Sequence, residues 1–470
     1  MDISPRDYNA HNIFRNIAVS ACIFLFPVLL SAQSPPTPAD TSKHRDSTEM
    51  QMSGMNMDDM DMQMEMPSKS NDSPMSMKGS GTSWLPESSP MHMLMQNSGN
   101  WMFMEHGGAF VRYDHQGGVR GGEKLDAPNW FMGMAERDFD STSHLRFSGM
   151  FSLDPLTEGG DGYPLLFQTG ETWHNIPLID RQHPHNLFAE LSAYYSRTII
   201  GDASAFAYIG YPGEPALGPP AFMHRPSAMY LPDAPITHHW QDATHITFGV
   251  ATAGIVYDRL KIEGSAFNGT EPDENKYSFD TLRINSFSGR ISYNPTRDIA
   301  LQISNGFLRN PENNGIDVHR TTASVLYAAQ IGGSGGSNWN SSLVWGQDYD
   351  DQSGVQNSAL LESAYTFSEY AVSARFEIVQ KPQFELGIFA DPTAKETVGE
   401  YTLGLSRNIF SVGEVNVMLG AQGTIYTMPE SLVQYYGSNP FSFEIYLGIH
   451  PAEMMGMAGG NMDMDMPEMR

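Results

Sequence analysis

The sequence predicts an all-β fold: a transmembrane antiparallel up-and-down β-barrel of about 16–18 strands with disordered Met-rich termini. Three observations predict this fold. Polar and apolar residues alternate along many segments between positions 101 and 451. These segments are long enough to cross a bilayer, and their connections alternate between short turns and long loops.

The alternation of polar and apolar residues has a period of two. In residues 286–293, Phe287, Ile291 and Tyr293 share one face of a strand. Ser286 and Arg290 lie on the other face, which is the pattern of a strand and not of a helix. The same pattern recurs in residues 145–153, 372–378, 415–421 and 441–449.

Segment length and charge distinguish a membrane barrel from a soluble sandwich, whose strands also alternate. The segments run about 9–12 residues, enough to cross a bilayer at a tilt, whereas soluble strands average about 5–6. The polar face carries Arg146, Arg290, Arg375 and Glu377. Charges on that face are expected to line a water-filled lumen.

The connections between strands support a meander. Long loops are expected over residues 114–128, 154–187, 211–244 and 269–282, with short turns between them. Our count is about 17 strands, and two periplasmic termini require an even number, which gives the range of 16–18. Residues 165–171 are a candidate additional strand. One short turn, expected near residues 380–382, falls on the long-loop side and breaks the alternation.

Composition divides the chain into four regions. Residues 1–33 are expected to be a secretory signal peptide, with basic residues ahead of an apolar run that is too short for a membrane helix. Residues 34–100 read as a disordered Met- and Asp-rich metal-binding arm, residues 101–451 as the barrel and residues 452–470 as a Met-rich tail. The barrel is expected in the outer membrane of a Gram-negative-type bacterium, with its arms in the periplasm.

Charge, cysteine content and motifs exclude several functional classes. The formal net charge of −27 argues against nucleic acid as a partner. The single cysteine, Cys22, lies in the predicted signal peptide. The mature chain would therefore lack disulfides and thiolate metal sites, which suits an oxidising compartment. The sequence has no His-Glu-x-x-His pair and no phosphate-binding glycine loop, so we do not predict an enzyme.

Methionine gives the strongest chemical signal. Eight of the 30 methionines lie within residues 50–66, where they alternate with acidic residues. Thioethers are soft, neutral ligands that prefer Cu(I) or Ag(I), and the carboxylates attract cations and add ligands for Cu(II). A role in core packing does not fit residues 58–62, which have no apolar neighbours. The predicted ligands in the arms are Met50, Met52, Met55, Met57, Met60, Met62, Met64, Met66, Met91, His92, Met93, Met95, Met462, Met464 and Met466.

Histidines are concentrated in the two longest predicted loops, which the meander places at one end of the barrel. Imidazole suits Cu(II), Zn and Ni, so these loops are a candidate capture or gating site. The alternative is a polar loop that folds inward as a constriction, with its histidines only hydrogen bonded. The candidate ligands in these loops are His174, His183, His185, Met223, His224, His238 and His239, and His245 at the predicted start of the next strand is a further candidate.

The order of signal peptide, Met-rich arm with M-x-M repeats and barrel resembles the B-type copper-resistance outer-membrane proteins. A second resemblance is to a largely uncharacterised envelope family associated with heavy-metal resistance. It rests on DRQHPHNLF at residues 180–188, PAFMHRPSAM at 220–229 and HHWQDATHITFG at 238–249. Both resemblances imply metal handling without defining a mechanism. The second Met-rich tail departs from the copper-resistance pattern.

Residues and resemblance together predict an outer-membrane copper-resistance protein that binds Cu(I) or Ag(I) through Met-rich arms and sequesters or exports it. The expected partners are copper ions, outer-membrane lipid and periplasmic copper carriers. An oligomer is also compatible with the sequence, because porin-like barrels are often trimers. The first alternative is a general diffusion porin with metal-buffering tails, and the second is a periplasmic metal-dependent enzyme.

Overall fold

Sixteen antiparallel strands, each paired with the next along the wall, close into a barrel in the computed structural model. The structure describes residues 74–332, 336–389, 391 and 393–454. In chain order the strands of the described residues are β1 Leu94–Ser98, β2 Trp101–Gln116, β3 Gly122–Asp126, β4 Asn129–Asp140, β5 Ser143–Phe151, β6 Tyr163–Trp173, β7 Ile176–Gln182, β8 Phe188–Ile200, β9 Ala203–Gly210, β10 Val250–Tyr257, β11 Leu260–Phe267, β12 Ser286–Thr296, β13 Ile299–Leu308, β14 Val318–Ile331, β15 Ser337–Asp350, β16 Gly354–Phe367, β17 Tyr370–Pro382, β18 Lys395–Val412, β19 Val415–Thr427 and β20 Phe441–Pro451.

Helices are few and short. The α-helices of the described residues are α1 (Asp154–Thr157), α2 (His238–Gln241) and α3 (Glu430–Tyr436). Single 3-10 turns cover Met75–Met77, Phe222–His224 and Ala243–His245. Within the part of the chain that the structure describes, no helix is long and apolar enough to cross a membrane.

The barrel closes between its first and last wall strands. Strand β2 pairs with β4 on one side and with β20 on the other, in a register that joins Ala109 to Ile449 and His115 to Phe443. Closure pairs the first wall strand with the last, as a membrane-spanning sheet requires. The sixteen wall strands confirm the predicted barrel and its predicted range of strand number. The candidate strand at residues 165–171 lies instead in β6, which pairs with β7 in the loop between β5 and β8.

The two faces of the wall have the polarity of a membrane barrel. Along β12, Phe287, Ile291 and Tyr293 are exposed on the outside, whereas Ser286 and Arg290 are buried on the inside. The same inversion holds along β17, where exposed apolar side chains alternate with buried charged ones. A soluble domain would place its apolar residues inside, so this outer face is built for contact with lipid.

Short turns and long loops lie at opposite ends of the barrel. The two-residue turns join wall strands at residues 141–142, 201–202, 258–259, 297–298, 368–369 and 413–414, so both ends of the wall lie at this end. The prediction of a short turn near residues 380–382 is wrong. Proline can sit at a strand end, so β17 continues to Pro382, which pairs with Lys395. The short connection at the long-loop end is residues 351–353.

Two segments occupy the lumen. The loop of residues 211–249 folds inward from the long-loop end and buries Leu217, Ile236 and Trp240. Residues 74–93 lie inside the wall at the short-turn end and bury Met77 and Trp84. The predicted boundary of the arm at residue 100 therefore falls inside folded structure, because residues 74–100 contact the wall and include β1.

Candidate metal centre

The inward loop of residues 211–249 is fixed to the wall by buried ion pairs. Arg225 donates to Glu362 on β16 at 2.6 Å and to Asp242 within the loop at 2.6 Å. The backbone N–H of Thr237 donates to Glu377 on β17 at 2.9 Å. All of these side chains are buried. Breaking such a pair is expensive, so the loop has one defined position in the lumen.

The segment of residues 74–93 is fixed in a similar way at the short-turn end. The Thr82 hydroxyl donates to Glu263 on β11 at 2.5 Å and accepts from Arg290 on β12 at 3.0 Å. The Ala221 N–H donates to the Ser80 hydroxyl at 2.9 Å. The segment therefore contacts both the wall and the inward loop, and the two together close the lumen.

A chamber of about 110 Å³ remains between this segment, the inward loop and strands β2, β4 and β20. We call it the methionine chamber, because thioethers and imidazoles dominate its lining. Five predicted ligands line it, namely Met91, His92, Met93, Met223 and His224. Six further ligand-type residues that were not predicted as ligands also line it, namely Met75, His106, Met132, Met134, Met229 and His450.

The sequence did contain a signal for part of the missed set. Met132, Gly133 and Met134 repeat the M-x-M spacing of the arms. On a strand, side chains two residues apart share a face, and β4 turns both of these thioethers inward. His106 and His450 gave no comparable signal, because only the closure of β2 against β20 brings them to the same chamber.

The imidazoles of the chamber are arranged in two groups. The His106 and His224 rings lie 5.5 Å apart between centroids, with Trp130 at 4.6 Å from His224. The His92 and His450 rings lie 5.4 Å apart. The Nε2 atoms of His106 and His450 are buried without a hydrogen-bond partner in the described part of the chain. An unpaired buried nitrogen is unfavourable, and a bound cation would satisfy it.

Burial keeps the imidazoles of His92 and His224 in the chamber neutral. Desolvation lowers the pKa of His92, and the nearby His450 lowers it further. Desolvation also places the pKa of His224 well below its ordinary value. A neutral imidazole can donate its nitrogen lone pair to a metal ion, whereas an imidazolium cannot.

A second group of histidines lies deeper, toward the long loops. His185 Nδ1 is 2.7 Å from Asp154, His238 Nδ1 is 2.6 Å from the Asp242 carboxylate, and His245 Nδ1 is 3.0 Å from the Asp242 carbonyl. This partner on Nδ1 is the usual support for a histidine that offers Nε2 to a metal. His245 does not begin the next strand, as the sequence suggested. It ends a 3-10 turn in the inward loop, and β10 begins only at Val250.

Not all predicted ligands come together. His174 is exposed at the tip of the β6–β7 hairpin, where its ring packs on Trp173. Met95 lies on β1 opposite Met104. The predicted ligands outside the described residues are Met50, Met52, Met55, Met57, Met60, Met62, Met64, Met66, Met462, Met464 and Met466.

The donor set of the chamber is mainly sulfur. In the described residues, no three His, Cys, Asp or Glu side chains converge on one ion position. An ion in the chamber would therefore depend on thioethers, with single imidazoles completing its coordination. Such a donor set suits a soft monovalent ion and is poor for Mg²⁺ or Ca²⁺.

Comparisons with known proteins add little beyond the barrel itself. No protein-family model and no curated protein matches the chain. Among solved structures, a Salmonella typhi OmpF complex with daunomycin matches at 9% identity and a TM-score of 0.49, over 76% of this chain and 100% of that one.

Two further porins are similar. Pseudomonas putida OprB matches at 10% identity and a TM-score of 0.44, over 75% of this chain and 94% of that one. An anion-selective porin from Comamonas acidovorans matches at 8% identity and a TM-score of 0.43, over 74% and 99% of the two chains. Because these TM-scores are below 0.5, the architecture rests on the strand pairing described above.

Proposed function

We propose that the protein is an outer-membrane copper-handling barrel that binds Cu(I) or Ag(I) in its methionine chamber. The observation that carries the proposal is the lining of this one chamber, to which seven methionines and four histidines contribute. Thioether and neutral imidazole match a soft monovalent ion in both charge and polarisability. The Met-rich arms would serve the same ion as ligands in the periplasm, as the resemblance to copper-resistance proteins implies.

Methionine also fills irregular space in protein cores, so packing is the competing explanation for the chamber. Met132 does pack with Met150, Ile246 and Phe248 in an apolar cluster. Packing alone explains neither the unfilled volume of the chamber nor the imidazole nitrogens that line it without a hydrogen-bond partner among the described residues. The combination therefore favours a binding role over simple packing.

The test is a titration of the full-length protein in detergent with Ag⁺, followed by NMR of ¹³C-methyl-labelled methionine. Separate resonances distinguish the chamber from the arms. We expect the Met132, Met134 and Met223 methyl signals to shift on Ag⁺ binding. The double variant Met132→Leu, Met134→Leu should weaken the site seen at Met223, and each such swap conserves volume, with an expected stability loss under about 1.5 kcal/mol.

Met150→Leu is the matched control, because Met150 lies in the same apolar cluster but does not line the chamber. It should leave the Ag⁺-dependent shift of Met223 unchanged. Chamber resonances that stay in place while arm resonances shift would refute a metal site in the barrel.

A general diffusion porin is the second candidate, and the sixteen-stranded barrel with a long loop folded into its lumen favours it. A general diffusion porin requires a continuous water-filled pore. Planar-bilayer recordings that show a steady conductance for K⁺, unaffected by Ag⁺, would support this candidate over the first.

A further inference from the structure

Three smaller cavities continue from the methionine chamber toward the long-loop end. The second cavity, of about 60 Å³, shares Met223 with the chamber. The third, of about 10 Å³, shares His183 and His185 with the second. The fourth, of about 50 Å³, shares His239 and Glu271 with the third. At every junction the shared lining includes a side chain that can ligate a metal ion.

The series of cavities extends from one end of the barrel to the other. The chamber lies at the short-turn end, where Met75, Met91 and Met93 are partly exposed. The fourth cavity is lined by residues of the loop between β13 and β14, including the exposed Glu312 and Asn314. The two ends of the series therefore lie at opposite ends of the barrel.

The histidines between the two ends lie at short, similar spacings. Ring centroids are 5.5 Å apart for His185 and His245, 5.1 Å for His245 and His238, and 5.4 Å for His238 and His239. His183 lies 5.5 Å from His239. At such spacings, a small movement of the side chains brings an ion from one imidazole to the next.

Several nitrogens along this series are available. The Nε2 atoms of His185, His245 and His239 are buried without a hydrogen bond to any described residue. The other ring nitrogen of His239, Nδ1, lies 3.5 Å from a carboxylate oxygen of Glu271, the kind of support that leaves Nε2 free to bind a metal. Gly170 has φ +117° and packs directly on the His239 ring, at a place where a Cβ would lie 2.3 Å from the ring. The backbone is thus shaped to hold this imidazole at the junction of the third and fourth cavities.

The ligand type changes steadily along the series. Thioethers dominate the chamber, and the second cavity is mixed, with two methionines, two histidines and two carboxylates. Imidazoles dominate the third cavity. Carboxylates dominate the fourth, where Glu271, Glu312, Asp348, Asp350 and Glu385 contribute. A soft ion is held most strongly by sulfur and most weakly by oxygen. It would therefore be captured at the short-turn end and leave readily at the long-loop end, as conduction requires.

We propose that these linked cavities form a route along which a dehydrated soft monovalent cation crosses the barrel by exchange between methionine and histidine ligands. The inference rests on the proposed function, because the chamber is the first station of the route. The third cavity holds about one water-sized particle, so hydrated ions and nutrient-sized solutes are excluded. Net movement follows the concentration gradient of the ion.

The test uses full-length protein in liposomes that contain a trapped fluorescent Ag⁺ indicator, with AgNO₃ added outside. Wild type should admit Ag⁺ and exclude K⁺. The variants His239→Gln and, separately, His183→Gln interrupt the route beyond the chamber. Each should reduce Ag⁺ flux roughly tenfold or more, the scale of effect expected when the support of a metal position is lost. His174→Gln, at an exposed position, is the matched control and should retain wild-type flux.

Methionine NMR on the same variants separates the two proposals. Ag⁺ shifts of Met132 and Met134 that persist in His239→Gln, together with reduced flux, support the route. Binding in the chamber with wild-type flux equal to that of empty liposomes, or with undiminished flux in both histidine variants, overturns the route and leaves the proposed function intact. K⁺ flux equal to Ag⁺ flux also overturns it. The absence of any Ag⁺ shift in the chamber overturns both.

Discussion

Arg225 is the side chain that most directly holds the inward loop in place. It is buried and lies between Glu362 on the wall and Asp242 in the loop. Arg225→Leu would remove the nearest cation from both buried carboxylates, at a cost of up to about 3–5 kcal/mol. Of its contacts with basic groups, Glu362 would keep only the longer one with Arg375 at 3.4 Å, and Asp242 would keep its contact with His238 at 2.6 Å. We expect the loop to leave the wall and the lumen to open, which single-channel recordings would show as a K⁺ conductance well above that of wild type.

Arg309→Leu provides the comparison for this variant. Arg309 pairs with Asp317 at 2.8 Å, but both residues lie on an exposed loop. Exposed pairs contribute about 0–1 kcal/mol, so this variant should retain wild-type conductance. Equal conductance in the two variants would show that the Arg225 pairs do not hold the lumen closed.

At the residue level, only part of the lining of the methionine chamber could be predicted from the sequence. Met91, His92, Met93, Met223 and His224 were selected from composition and spacing, and they do line one chamber. The partners on β2 and β20 were not selected, because His106 and His450 are far apart in the chain. Their proximity depends on barrel closure, which no local pattern encodes.

At the element level, helix α2 carries His239, which lines the third and fourth cavities, and packs against β15. Gly346 on β15 makes room for it, since a Cβ there would lie 2.2 Å from the Trp240 carbonyl oxygen. Gly346→Ala should displace α2, at a cost of about 1–3 kcal/mol for overpacking. We expect reduced Ag⁺ flux with an intact barrel, measured in liposomes and by circular dichroism respectively.

Gly133→Ala on β4 is the control for this substitution. A Cβ at Gly133 meets nothing within 4 Å, so the change adds the same methyl group without a clash. Its flux should match that of wild type. If Gly346→Ala behaved the same way, the position of α2 would not matter to the route.

The segment of residues 74–93 is the second element that closes the lumen. Deletion of residues 74–90 would remove the contacts of Thr82 with Glu263 and Arg290 and leave the short-turn mouth open to water. We expect a rise in K⁺ conductance, recorded in planar bilayers. A deletion of equal length at residues 40–56, ahead of the described segment, should leave conductance unchanged, and a rise in both deletions would argue against a specific closing role.

The strands of the wall could be predicted from the sequence, whereas the segments that occupy the lumen could not. Strands β12, β17, β19 and β20 follow from period-two alternation, because lipid and lumen impose opposite polarity on successive residues. The inward course of residues 211–249 depends on pairs between distant positions, such as Arg225 with Glu362, 137 residues apart. The folded conformation of residues 74–93 depends in the same way on contacts with β11 and β12.

For the whole molecule, a closed wall and a filled lumen together determine what can pass. The largest cavity among those described above is about 110 Å³ and the smallest about 10 Å³. Wild-type protein in liposomes should therefore not admit a pentose, because a space of about 10–15 Å³ holds only one water molecule. Liposome-swelling assays would measure this. Swelling as fast as with an open porin would contradict the closed lumen.

The metal site proposed for the barrel itself, and not only for its arms, can be observed directly. The most direct measurement is an anomalous difference map from crystals of the full-length protein grown with Ag⁺. We expect a peak in the methionine chamber within bonding distance of sulfur atoms among Met132, Met134 and Met223. A map with no peak inside the barrel, from crystals in which Ag⁺ is bound elsewhere on the protein, would contradict it.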